Sequence, residues 1–452
     1  MEKIITILSC IAPIIKRKEQ KQLAIIIQAL LSMRGRITML GLSRWSEKGG
    51  SYKTIERFFN SKINWEKVNW WFIKKHLIKK GSVYLIGGDE VVTSKDGKHS
   101  YGLDWFFSSI QNQVIRSLAF LNLSLISVET RKAYPLATKQ IVKTKKEGCV
   151  KDKSSKKKNN KKKKKGKRGR PKGSGNKDKK MPKLSPYLEF VQKTINEALT
   201  LINKEIDIIY FVFDGAFGNN YAVQMVKQCG LDLISKLQKN SALCFPNEEE
   251  YSGKGAPKIY GDDIDYEKLP EKHLKSDVTD EDKNIQTKIY QMEMLHRKFA
   301  DILNIVIIQK INTITKKSSH VVLFTTDLTL GYEKIIDYYS LRFQIEFVFR
   351  DAKQYWGMED FMNIKKTPIY NWANLSSFMV NFAHGLRQNT EMKEMSILDL
   401  KAHFHGLKYV KEVFKLLPDL PSDYLIKMVS PILGQFTPQK RSLRGDFLAK
   451  VL

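Results

Sequence analysis

The segment Tyr339–Lys353 (YSLRFQIEFVFRDAK) limits what this chain can fold into more than any other stretch. Its apolar spacing predicts a helix. At about 100° per residue, Arg342, Glu346 and Lys353 fall roughly −60°, −20° and −40° from Tyr339, so four polar groups share one narrow stripe. Phe343, Ile345, Phe347, Val348 and Phe349 fill the flanks. A helix that is apolar on most sides is a buried helix. Buried charge without a partner costs several kcal/mol per ion, so the stripe has to be matched. Two readings stand. Arg342 and Glu346, four residues apart, satisfy one another as a salt-bridge ladder; or the stripe faces a catalytic cleft and a phosphate backbone.

The rest of the composition bears on that choice. The chain has 452 residues, room for two to four domains, and its 42% hydrophobic content supports real cores, which excludes a disordered protein. Its net charge of +31 points to a polyanionic partner, nucleic acid first. Residues 143–183 carry 21 Lys and Arg against three Asp and Glu, yet the remainder is still basic, so more than one surface is expected to meet the polyanion. Cys10, Cys149, Cys229 and Cys244 show no paired spacing, which argues against a disulfide framework or a zinc site and fits a reducing cytosol. His403 and His405, two apart in an expected helix, diverge and are read as surface or packing residues. The apolar run 4–15 is too short to span a bilayer, and its positive charges follow rather than precede it. It is read as a buried amphipathic helix, with a cytoplasmic, nucleoid-associated location for the protein.

Residues 1–78 read as short helices with basic exposed faces, including 20–33, a helix opened by Ser51 and one capped by Asn64, the pattern of a helical DNA-binding domain. From residue 82 the period becomes that of strands: 82–89, ending in Asp89, then 117–128 and 133–142. A helix over 185–205 precedes the apolar run 206–214, which reads as a buried central strand ending in Asp214. A helix over 219–228 and a strand over 231–237 follow. Residues 246–328 read as an antiparallel β-rich insertion with strands at 286–295, 304–310 and 320–326. Helices at about 332–355, 369–390 and 396–416 and a basic tail complete the chain. The expected organisation is a helical DNA-binding domain (1–78), a core in two parts (79–245 and 329–392), the β-rich insertion between them, and a helical C-terminal region (393–452). The lysine-rich part, 143–183, is expected as a disordered loop inside the core.

Two strands that end in carboxylates and a buried helix carrying a third suit chemistry on phosphodiesters. Three carboxylates that converge repel one another and tend to protonate. A pair of divalent cations relieves that conflict, and Mg²⁺ prefers oxygen ligands. Each acid also has a plainer explanation: Asp89 or Asp214 as a turn residue, with Glu90 competing beside Asp89 but facing the other way. The order strand-Asp, strand-Asp, insertion, helix-Glu is more specific than any one member.

Here the chain resembles the bacterial insertion-sequence transposases of the DDE class, whose catalytic domain is RNase H-like. That group carries the signature Tyr-x2-Arg-x3-Glu-x6-Lys, met here at every spacing by Tyr339, Arg342, Glu346 and Lys353. The stretches around Asp89 (LIGGDE) and Asp214 (VFDGAFG) are similar to the group's first and second acid motifs. The resemblance spans about residues 30–390. It implies an α/β fold with an RNase H-like mixed sheet. It implies that Asp89, Asp214 and Glu346 bind two Mg²⁺ or Mn²⁺ ions and cut and join DNA, with Tyr339, Arg342 and Lys353 holding phosphates. It also implies double-stranded DNA, as transposon ends and target, for a partner, and a homodimer that pairs two ends. A nuclease that cuts without joining, or an inactive DNA-binding relative, is the alternative. This chain has no Trp between Trp105 and Trp356, where some relatives use one to stack on an extruded base; Tyr290, Phe299 and Phe245 are the available substitutes. Within the lysine tract, 167–172 (KRGRPK) resembles an AT-hook core, with Arg168 and Arg170 as minor-groove candidates; a plain polycation is the other reading.

Overall fold

Side-chain caps start several of the helices where the sequence places them. The computed structural model describes residues 2–143, 178–415, 424–425 and 428–430, apart from 48, 110, 204, 250–252, 254–256 and 389–390. Helix α1 (Glu2–Ile7) runs into a 3₁₀ turn, and Ile4, Ile7, Leu8 and Ile11 are buried, as expected for the apolar start of the chain. Helices α2 (Arg17–Ser32), α3 (Met39–Trp45), α4 (Tyr52–Phe59) and α5 (Trp65–His76) follow. Asn64 Oδ1 accepts the Lys67 N–H at 3.0 Å, and the Ser51 hydroxyl accepts that of Thr54, each satisfying an orphan donor of the first turn.

Strands β1 (Tyr84–Ser94), β2 (Asp104–Ser108), β3 (Gln113–Ser127) and β4 (Lys132–Ile141) come next. Helix α6 (Pro186–Ile202), capped by Ser185, leads to β5 (Tyr210–Val212), α7 (Asn220–Gln228) and β6 (Asp232–Lys236). Then come β7 (Leu243–Pro246), β8 (Tyr260–Asp263), β9 (Leu274–Asp280), β10 (Ile285–His296), β11 (Leu303–Asn312) and β12 (Ser318–Thr325). Helices α8 (Tyr332–Leu341), α9 (Gln344–Gln354), α10 (Lys366–Gln388) and α11 (Ile397–Phe414) close the described chain.

The strands form one mixed sheet of 12 among the described residues. Its first part runs β4-β3-β1-β5-β6: β1, β3 and β4 pair antiparallel, and β5 and β6 add parallel to β1. This is the mixed sheet expected of an RNase H-like core. The β-rich segment extends the same sheet, because β12 pairs antiparallel with β6 and β11 and β10 follow. Helix α10 is buried on nearly every side and carries a row of asparagines. Asn371 donates to the Phe59 and Ser61 carbonyls, Asn374 to Thr138 and Asn381 to Pro135, which ties the N-terminal helices and β4 to one helix.

Three boundaries differ from the sequence reading. Strand β1 does not end at Asp89 but continues to Ser94, because the alternation Val91, Thr93 goes on pairing with β3. Strand β5 keeps only three residues of the apolar run 206–214; Ile209 is 54% exposed and the run starts outside the sheet. The single helix over 332–355 is two. The chain tightens at Arg342 and Phe343, where the N–H groups of residues 342, 343, 345 and 346 bond three residues back at 3.0–3.2 Å. Both residues keep right-handed helical angles, so the polar stripe stays on one side.

Candidate active site

Strands β1 and β5 set the level of the two aspartates. They run parallel with Ile86 beside Phe211 and Gly87 beside Val212. Asp89 and Asp214 each stand two residues further on, at the same height, Asp89 within β1 and Asp214 just past the end of β5. The chain turns sharply after Asp214. Its Oδ1 accepts the Ala216 N–H at 3.0 Å, its carbonyl accepts the Ser235 hydroxyl at 2.8 Å, and Gly218 folds against β6. A Cβ at Gly218 would lie 2.2 Å from the Lys236 carbonyl oxygen, so no larger residue fits this loop.

Helix α9 brings the third acid. It lies close over β1 because Gly87 has no side chain: a Cβ there would meet Ile126 and Ile345 at 2.6 and 2.7 Å. Ile345, next to Glu346, is fully buried in that contact. Arg342 then joins the two elements. Its Nη1 donates to Asp89 Oδ2 at 3.3 Å and its Nη2 to Glu346 Oε1 at 3.2 Å. Its Nε is buried with no hydrogen-bond partner among the described residues. Tyr339 lies against Arg342, within the field of Asp214 and Asp89. Lys353 follows β1 outward, donating to the Val92 carbonyl at 2.9 Å and pairing with Glu359 at 2.9 Å. Arg342 thus faces Asp89 and pairs with Glu346, as the salt-bridge ladder requires, while Lys353 is turned to Val92 and Glu359 further along β1.

The electrostatics follow from burial. Asp89 is pushed up to about 6: desolvation raises it most, Arg342 and the Glu90 N–H oppose this, and Asp214 and Glu346 add repulsion. Burial works against the Arg342 charge, but Asp89, Tyr339 and Glu346 outweigh it and push its pKa up. Among the described residues, no three His, Cys, Asp or Glu side chains stand close enough to hold an ion as placed. The cation between Asp89 and Glu346 is the Arg342 guanidinium. The donor set itself, carboxylate oxygens only, is the kind that suits a hard divalent cation.

One site residue had no clear signal in the sequence. Tyr187, in the first turn of α6, approaches from the side of Glu90, with Asp89 and Asp214 nearby. Its hydroxyl is buried without a hydrogen bond of ordinary geometry, and Phe217 packs on its ring. Burial first, then Glu90, pushes its ionisation up, so it stays a donor. Conversely, Tyr290 and Phe299 are core residues, 4% and 5% exposed, which removes them as base-stacking candidates. Phe245 is half-buried and stacks on His273. His405 is buried, bonded to the Ser32 carbonyl and stacked on Trp45, a packing residue as expected. Arg168, Arg170 and most of the lysine tract lie outside the described residues, as does the basic tail.

Two family models match the chain. The family model described as DDE superfamily endonuclease matches residues 10–297, more than half of the chain and the part that holds Asp89 and Asp214. A second, described as archaeal putative transposase ISC1217, matches residues 268–395, the part that holds Tyr339, Arg342, Glu346 and Lys353. No curated protein matches the chain.

Proposed function

The chain belongs to the DDE superfamily endonucleases, a transposase-type nuclease, and we propose that it cuts an insertion sequence from DNA and joins it to a target by metal-dependent chemistry at Asp89, Asp214 and Glu346. The observation that carries the proposal is the shared height of Asp89 and Asp214 on adjacent parallel strands, with Glu346 held to Asp89 through one guanidinium. Two Mg²⁺ or Mn²⁺ ions held by these carboxylates would supply Lewis acidity and a more nucleophilic oxygen at neutral pH.

The chain's own groups do the positioning. Arg342 keeps its Nη groups on Asp89 and Glu346 and its Nε–H buried and uncommitted, so a phosphate reaching it would compete with those carboxylates for a planar fork of donors. Lys353 places a point charge further along β1, and Tyr339 holds the other side of Arg342. In cleavage, water adds to phosphorus and the P–O3′ bond breaks, leaving a 3′-hydroxyl and a 5′-phosphate. In joining, that hydroxyl adds to a target phosphodiester and a target 3′-oxygen leaves. Pairing two ends calls for a homodimer, and action on chromosomal DNA for a cytoplasmic, nucleoid-associated location. No helix among the described residues is long and apolar enough to cross a membrane.

The test is product analysis with donor DNA bearing the flanking ends of the encoding element and a supercoiled target. Joined donor–target molecules support the transposase reading. Cut ends with no joined product support a nuclease, and DNA binding with no cut supports the inactive relative.

A further inference from the structure

Strand β2 pairs with the part of β3 that runs past the end of β1, forming a hairpin that projects from the sheet. Opposed residues of an antiparallel pair share a face, and the face alternates along each strand. Across β1 and β3, Asp89 stands opposite Asn122, Val91 opposite Phe120 and Thr93 opposite Leu118. The same face therefore continues along β3 to Arg116 and Val114, and across to their partners Trp105 and Phe107. Further in, α9 and α10 cover this face. At the hairpin nothing among the described residues does: Trp105, Phe107 and Val114 are 59%, 57% and 56% exposed. The opposite face of the hairpin is covered, with Phe106 buried and the Lys143 ammonium 4.4 Å from its ring centre.

An exposed Trp-Phe-Val cluster of this kind marks a contact surface rather than a core. Its surroundings are basic. Arg116 sits within the cluster and its guanidinium reaches the Lys98 carbonyl. Lys366 lies over Tyr101, beside the hairpin, and Lys143, on the hairpin's other face, leads in the sequence directly into the lysine tract. Lys353 stands between Asp89 and the hairpin. A second copy of this basic chain would set cation against cation, and an anionic membrane surface would accept the same side chains but has no place beside a cleft read as binding DNA. An intact duplex offers mainly phosphates, whereas unpaired bases offer flat faces that stack on aromatic rings while their phosphates meet Lys and Arg.

We propose that this face, centred on Trp105 and Phe107, binds DNA bases that have lost their pairing, on the same sheet face as the cleft read at Asp89 and about 20 Å along β3 from it. The inference rests on the reading that DNA lies at that cleft, and the test separates the two. Binding is measured by fluorescence anisotropy with the full-length protein in chelator, so that nothing is cut. The probes are a labelled duplex and the same duplex with a short unpaired bubble. The natural protein should prefer the bubble. Trp105→Ala and Phe107→Ala should each weaken bubble binding about 5- to 150-fold, the range for removing one stack, and duplex binding by no more than about twofold. Trp105→Phe should restore most of the preference. Equal loss on both probes, or no loss on the bubble, overturns the proposal while leaving the DNA reading intact. Failure of the natural protein to bind either probe overturns both. If Trp105→Ala instead dissociates an oligomer in sedimentation and leaves the bubble preference unchanged, the face joins copies of the chain and the proposal is wrong.

Discussion

Asp89→Asn should make the metal-free protein more stable while abolishing its activity. The side chain of Asp89 is 23% exposed and desolvated, opposed by the Arg342 guanidinium and within the field of Asp214 and Glu346. An acid held at about 6 rather than its ordinary 3.8 ionises less readily in the fold than in the unfolded chain. That difference is worth about 3 kcal/mol at full ionisation, and about 1–2 kcal/mol once partial exposure and relaxation are allowed for. The sign follows from proton binding: between 3.8 and 6 the native state binds more protons than the unfolded state, so this group's contribution falls as pH rises. Asparagine keeps the shape without the charge. Urea unfolding in chelator should therefore show Asp89→Asn more stable by about 1–2 kcal/mol at pH 8, with the gain fading towards pH 4. A variant no more stable than the natural protein at pH 8, or a gain equally large at pH 4, would refute the claim that burying the Asp89 charge strains the fold.

Gly218→Ala should cost about 2 kcal/mol or more and displace Asp214, since its Cβ would meet the Lys236 carbonyl; Gly331→Ala, with nothing within 4 Å, should melt within about 0.5 kcal/mol of the natural protein. Asn371→Ala removes the acceptor of the Trp65 indole N–H and the donor to two backbone carbonyls in a fully buried position. A loss of about 2–4 kcal/mol is expected, read as a lower urea midpoint at unchanged slope. Deleting residues 145–176 should flatten the dependence of DNA affinity on salt, by about 0.9 in log–log slope for each phosphate the tract neutralises, and leave cleavage detectable. Complete loss of cleavage by a folded deletion protein would mean that the tract is more than auxiliary.

Much of the site can be read in the chain. The three acids carry local marks: Asp89 follows an apolar run with two glycines, Asp214 begins a glycine-rich turn, and Glu346 sits in a stripe whose spacing requires partners. Caps at Ser51, Asn64 and Ser185 announce their helices because a short polar side chain before an apolar period has few other uses. What stayed hidden depends on distant pairing. Nothing local says that β12 adds to β6, or that β1 goes on past Asp89 because β3 is long enough to pair with it. The break at Arg342 and Phe343 has no glycine or proline to signal it. Nothing in the sequence marks Trp105 and Phe107 as exposed, and only the pairing of β2 with the overhanging end of β3 leaves them bare. Tyr187 reads as one more apolar contact of an amphipathic helix until α6 is set against Glu90.

The central claim is that Glu346 acts with Asp89 and Asp214 on a phosphodiester. The direct measurement is cleavage of labelled donor DNA with Mg²⁺ or Mn²⁺ by the natural protein and by Glu346→Gln, with DNA affinity measured for both. Glutamine keeps the size of the side chain and a hydrogen-bond acceptor for Arg342 but not the charge. Cleavage lost at unchanged affinity is the predicted result. Equal cleavage by the two proteins would take Glu346 out of the site and contradict the account.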